Sequence, residues 1–286
     1  MDNLNVEMGG RSIPLRRSEV DEALDHLREG YGIYGGYDHH DGIGVIQRLR
    51  DGELSYDQLK RILKDISPIV LQFPDYLETL KKSVSRQDSR GEHQPVIDWL
   101  GGNVREERTH IKLWNDFISA FDIDYQESDQ IQNPYIKELD GLLWDGARGD
   151  SPSVGISRLT LGVEGITGMV IKESYNGISD IYERKKGCVL SSKQKRWLNV
   201  HKNYDADVHP REAVENIAKL GILPATHEVF NQYHRDRIEI HPLGNKRDAE
   251  MKEIGKAYPR SSEVFREAQR IGMIYVDAFE HSASIQ

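Results

Sequence analysis

Apolar side chains return every three or four residues over long stretches of the chain, the period of α-helices with one buried face. The first helix is predicted over Glu19 to Glu29, ending at Gly30, and the Gly/Tyr-rich run from Gly30 to Tyr37 reads as a loop. Ser55, with Gln58 three residues on, is a capping box that opens a helix through Leu63, Ile66 and Ile69. Pro68 and Pro74 are expected to bend or divide it before Tyr76, Leu77, Leu80 and Val84 resume the period. Helices are also expected from about Pro95 to Phe121, Ile136 to Leu143 and Ser153 to Glu183, the last carrying glycines at 155, 162, 165, 168 and 177. Another starts after Ser191-Ser192, is interrupted near Pro210 and resumes over Arg211 to Leu220; Thr226 to Ile238 and Ser261 to Phe279 complete the set. No strand alternation and no internal repeat is read. The class is all-α, with roughly eight to ten helices around one core.

Composition narrows the function classes. With 37% hydrophobic residues in helical registers, the 286-residue chain can bury a core despite 30% charged residues. The 47 acidic against 38 basic residues give a formal charge of −9, which argues against nucleic acid and anionic membrane surfaces as partners. No run of about 18 apolar residues occurs, and Met1 to Pro14 lacks an apolar signal core, so a soluble, cytoplasmic protein is expected. The single cysteine, Cys188, excludes an intrachain disulfide and a cysteine-rich metal site, leaving metal chemistry to carboxylates and histidines.

Three segments place such groups where they conflict with their surroundings. Leu100, Val104, Glu107, Ile111, Trp114 and Ile118 step along one helix face, so Glu107 interrupts an apolar stripe. A buried carboxylate without a partner costs several kcal/mol and is expected to be paired, neutral or metal-bound. His110, three residues on, completes a Glu-x-x-His pair able to ligate one ion. Glu164 is the only charge in a second stripe of Leu161, Gly168, Ile171 and Tyr175, in a glycine-weakened helix expected to kink. Its rival reading is a core ion pair with a cation such as Arg158. His201, Asp205 and His209 step by four on the side that also holds Trp197 and Val208, with Pro210 immediately after. Their rival reading is a polar cluster on the surface of a lysine-rich helix. Together the groups form an oxygen and nitrogen donor set suited to iron or manganese.

In these segments the chain resembles the haem-oxygenase-like diiron oxidases and oxygenases, a helical family related to TenA and pyrroloquinoline-quinone synthase. The resemblance rests on Glu106-Glu107-Arg108-Thr109-His110-Ile111-Lys112-Leu113-Trp114, on Gly162-Val163-Glu164-Gly165-Ile166-Thr167-Gly168, and on His201, Asp205 and His209, in the family's order. It implies a bundle of seven core helices over residues 53–286, preceded by an N-terminal extension and variable first helix at 1–52. It further implies that Glu107, His110, Glu164, His201, Asp205 and His209 bind two Fe(II) ions, with O2 as cosubstrate. The expected reaction is oxidative C–C cleavage, desaturation or N-oxygenation of a small amino-acid-like substrate in natural-product biosynthesis. Alternatives are a fatty-acid decarboxylating oxidase of the same fold, or a helical binding protein that has lost its metal. Arg158, Arg196 and Lys202 are candidates to hold a substrate carboxylate. A homodimer is expected by analogy alone.

The sequence departs from the family twice. Some members place the first glutamate seven residues before the histidine, where this chain has Asn103, so Glu107 takes that role through the shorter spacing. The last histidine is usually three residues after the aspartate, where this chain has Val208. Either His209 turns inward, or Asp207 replaces Asp205, or neither completes the second position. A ferritin-like diiron protein would need a second Glu-x-x-His, and the chain has none. Tyr37-Asp38-His39-His40-Asp41-Gly42 carries the His-Asp pair of metal-dependent phosphohydrolases but reads better as a polar loop, and His234 and His241 read as helix-end residues.

Overall fold

Ser55 and Gln58 form the expected capping box: Ser55 Oγ accepts from the Gln58 amide at 3.2 Å, and Gln58 Oε1 accepts from the Ser55 amide at 2.9 Å. In this computed structural model, which describes residues 3–8, 11–16, 44–125, 131–203, 208–220 and 261–285, the cap starts the longest helix. Helix α1 (Val45–Arg50) precedes it, and α2 (Tyr56–Gln87) and α3 (Gln94–Ile118) form an antiparallel pair, α3 closing in a 3₁₀ turn at Ser119–Phe121. There follow α4 (Pro134–Arg148), α5 (Pro152–Ile156), a π-helical segment (Ser157–Glu164), α6 (Gly165–Lys186), α7 (Arg196–Asn203), α8 (Val208–Lys219) and α9 (Ser261–Ser284). The predicted segments Glu19 to Glu29 and Thr226 to Ile238, the loop through Tyr37 to Gly42, and His234 and His241 lie outside the described residues.

Two expectations are corrected. Pro68 and Pro74 do not divide α2, which runs unbroken for 32 residues. Both prolines are buried, and the packing of α2 against α3, α4 and α9 outweighs the roughly 3 kcal/mol that an interior proline costs. The helices on either side of residues 204–207, which lie outside the described residues, are the separate elements α7 and α8, and α8 contains Pro210. Pro210 lies in the first turn of α8, where the missing amide hydrogen would have had no intrahelical acceptor. Finally, the N-terminal extension holds an antiparallel hairpin, β1 (Asn3–Met8) with β2 (Arg11–Arg16), registered from Asn3 opposite Arg16 to Met8 opposite Arg11. Leu4, Val6 and Met8 alternate ahead of Gly9-Gly10, a hairpin signal too short to stand out beside the helical periods.

The core is continuous. Val45, Ile46 and Leu49 of α1 belong to it, together with Trp114, Phe117, Leu139, Ile178 and Ile271 from the larger helices. Helix α1 reaches α6 through Gly177, where a Cβ would come 1.8 Å from the Leu49 carbonyl oxygen, so only glycine permits this approach. Asn133, the N-cap of α4, donates to Ser282 Oγ and the Ala278 carbonyl of α9, each at 3.0 Å, and to Asp65 of α2 at 3.3 Å. These bonds lock three helices together at one end. Among the described residues, the run Pro152–Lys186 is long and apolar enough to cross a membrane, but 83% of its most apolar window is buried inside the bundle.

Candidate metal centre

The kink expected of the glycine-containing helix is a π-helical segment. Widening the turn over Ser157–Glu164 rotates the following residues relative to an ideal α-helix, and such bulges concentrate at functional sites. Gly162 allows α9 to press against the bulge, since a Cβ there would meet the Ile271 side chain at 2.7 Å. Ser157 Oγ donates to the Val264 carbonyl, and Thr167 and Tyr275 exchange a hydroxyl hydrogen bond at 3.0 Å. The bulge is thus clamped on both sides of Glu164, whose carboxylate is buried.

Glu107 of α3, Glu164 of the π segment and His209 of α8 converge. One donor atom from each lies within 4.8 Å of the other two, and all three residues are buried. His209 Nδ1 is 3.0 Å from Glu164 Oε2. His110 Nδ1 is 3.0 Å from Glu107 Oε1, so the Glu-x-x-His pair meets on one helix face as its spacing requires. His201 is 5% exposed, and its ring centroid is 5.0 Å from that of His110. Its Nδ1 lies 2.8 Å from the Trp197 carbonyl. A carbonyl only accepts, so Nδ1 carries a proton, and in the neutral imidazole Nε2 then carries the lone pair. This tautomer is the one that lets an imidazole coordinate through Nε2.

The rival readings from sequence do not describe this geometry. Arg158 pairs with Glu267 at 2.7 Å and donates to the Leu142 carbonyl at 2.9 Å, so its cation is engaged away from Glu164. His201 and His209 are buried rather than arranged on a solvated face. The expected apolar companion Val208 is instead 37% exposed, because α8 begins there and turns His209 inward beside it. Asp205 and Asp207 lie outside the described residues. Of the candidate carboxylate-binding cations, Arg196 is exposed and Lys202 lies 4.6 Å from the Tyr175 ring centroid.

Sequence reasoning passed over Glu106. Its Oε1 is 3.9 Å from His110 Nε2 and its Oε2 is 3.7 Å from His209 Nε2, although the side chain is 39% exposed. The apolar stripe selected Glu107 because Glu106 lies about 100° around the helix. The signal that could have identified it is its position four residues before His110.

No family model and no curated protein matches the chain. Among solved structures, a TenA homolog from Pseudomonas syringae pv. tomato str. DC3000 superposes with a TM-score of 0.66 over 99% of this chain and 100% of that one, at 17% identity. The chain has a TenA-like helical fold.

Within this TenA-like bundle the buried acids and imidazoles come from three separate stretches of chain. Their donor set fits a divalent transition metal: two carboxylates and three imidazoles, all on the bundle interior, where a cation relieves the cost of enclosing negative charge.

Proposed function

We propose that the protein is a non-haem diiron oxidoreductase that uses O2 on a small, amino-acid-like substrate, in a natural-product pathway. The observation that carries this reading is the convergence of buried Glu107, Glu164 and His209 from α3, the π segment and α8. Glu107, His110, Glu164, His201 and His209 would hold the metal, with Asp205 completing the set. When bound, iron supplies the activation of O2 that hydrogen abstraction from, or oxygen insertion into, the substrate requires.

The chain's own groups have distinct tasks. Glu107 and Glu164 place two carboxylates in the buried interior, where electrostatic interactions are strongest. The Trp197 carbonyl holds His201 in one tautomer and orientation, as outer-sphere acceptors do for metal-binding histidines. The Thr167–Tyr275 bond and the Ile271 contact at Gly162 hold the π bulge, and therefore Glu164, against α9. His209 stands at the start of α8, four residues after Asp205, and is buried beside Glu164.

Anaerobic loading with Fe(II), followed by an O2 pulse under stopped-flow absorbance, tests the reading. Candidate amino acids and fatty acids are supplied in parallel. A substrate-triggered transient in the visible region with consumption of an amino acid supports it. A response to fatty acids alone selects the fatty-acid oxidase instead. Iron binding with no O2 consumption under any substrate overturns the oxidoreductase assignment.

A further inference from the structure

A file of aromatic rings leaves the candidate metal centre and ends near the surface. Its inner end is Trp197, whose ring centroid lies 4.1 Å from that of His201 and 4.6 Å from that of Trp114. Trp197 stacks on Phe117 at 5.5 Å with planes 11° apart. Phe117 meets Phe121 at 5.3 Å, and Phe121 meets Tyr182 at 5.3 Å. The Tyr182 hydroxyl adjoins the side chain of Cys188, which is exposed. Every gap is a ring contact, whereas electron tunnelling slows exponentially with distance through saturated packing.

We propose that Trp197 with Trp114, bridged by Phe117 and Phe121 to Tyr182, forms an electron relay between the buried site and a one-electron reductant docking beside Cys188. The residues suit the roles by their chemistry. Tryptophan and tyrosine can be oxidised by one electron and act as stations, whereas the two phenylalanines only shorten the tunnelling gap. The Trp197 indole N–H is buried and has no hydrogen-bond acceptor among the described residues, so an oxidised Trp197 keeps its proton and remains a strong oxidant. Trp114 donates its indole N–H to Ser67 Oγ at 3.2 Å.

The step balances as follows. Trp197 gives one electron to the oxidised centre and becomes a radical cation. Tyr182 returns that electron to Trp197 and releases its phenolic proton toward solvent beside Cys188. The external reductant then supplies one electron, and solvent one proton, to restore Tyr182. The use of the relay rests on the oxidoreductase reading above, but its conductivity can be measured without any metal.

Cys188 is the only cysteine in the chain, so a ruthenium photo-oxidant can be attached there and triggered by flash-quench in the metal-free protein. Transient absorption is expected to show a tyrosyl radical that is lost in Tyr182→Phe, where a tryptophanyl radical takes its place. That tryptophanyl signal is expected to vanish when Trp114→Phe and Trp197→Phe are added, and to form more slowly with Phe121→Leu. Phenylalanine keeps an aromatic ring at each station, and far-UV circular dichroism verifies each fold. A tryptophanyl signal that survives the double tryptophan replacement, or no tryptophan oxidation in Tyr182→Phe, overturns the relay. A conducting apoprotein that binds no iron would leave the relay standing and remove the diiron reading, whereas iron-dependent turnover without conduction would do the reverse.

Discussion

His209 Nδ1 stands 3.0 Å from Glu164 Oε2, joining the first turn of α8 to the π segment. The histidine four residues after Asp205 is directed inward, and Pro210 follows it in the first turn of α8. Removing a buried polar side chain that another polar group faces costs about 1–3 kcal/mol. His209→Ala is therefore expected to destabilise the metal-free protein by about that amount, and Glu164→Gln by less because the isostere keeps the packing. Urea unfolding of the apoproteins measures both.

Glu106 and Glu107 are adjacent in sequence but not equivalent. Glu107→Ala is expected to abolish tight metal binding. Glu106→Ala, which removes a half-exposed carboxylate 3.7–3.9 Å from two imidazoles, is expected to weaken binding only by about 10-fold, the lower range for outer-sphere groups. Isothermal titration of the two variants with Fe(II) under anaerobic conditions separates them.

The close approach at Gly162 links the core to the site. Gly162→Ala places a methyl group into Ile271, and overpacking of this kind costs about 1–3 kcal/mol. The same displacement moves the bulge that carries Glu164, so lower metal affinity is expected alongside the lower thermal midpoint. A variant that loses stability while keeping full affinity would show that the bulge is positioned by other contacts.

Burial raises the Tyr76 hydroxyl well above its ordinary pKa of 10.0, and its hydrogen bond to Asp140 at 2.5 Å reinforces the shift. The folded state thus favours the protonated phenol. Its contribution is complete below pH 10 and declines as pH rises above 10, where the unfolded chain ionises first. Tyr76→Phe is expected to lower stability by about 1 kcal/mol near neutrality and to flatten the alkaline loss. Urea midpoints measured across alkaline pH provide the check.

Much of the site was legible because a charged residue in an apolar stripe is a local contradiction. Glu107 and Glu164 were found this way, and both are buried. The capping box at Ser55 was legible for a similar reason, since two side chains at fixed spacing satisfy named backbone groups. The prolines of α2 misled because propensity is local, whereas the packing that keeps the helix whole is tertiary. The π geometry around Glu164 was visible only as a glycine-rich irregularity, because its form depends on Ile271 and Val264 of a helix a hundred residues away. Glu106 escaped notice because its neighbours His110 and His209 come together only in the folded chain.

Iron stoichiometry tests the central claim most directly. Anaerobic Fe(II) titration of the metal-free protein, followed by desalting and Mössbauer spectroscopy, is expected to give two bound iron ions per chain in the wild type. Substantial loss is expected in Glu107→Ala, Glu164→Ala and His209→Ala. Full occupancy in those three variants, or no specific iron in the wild type, would contradict the account.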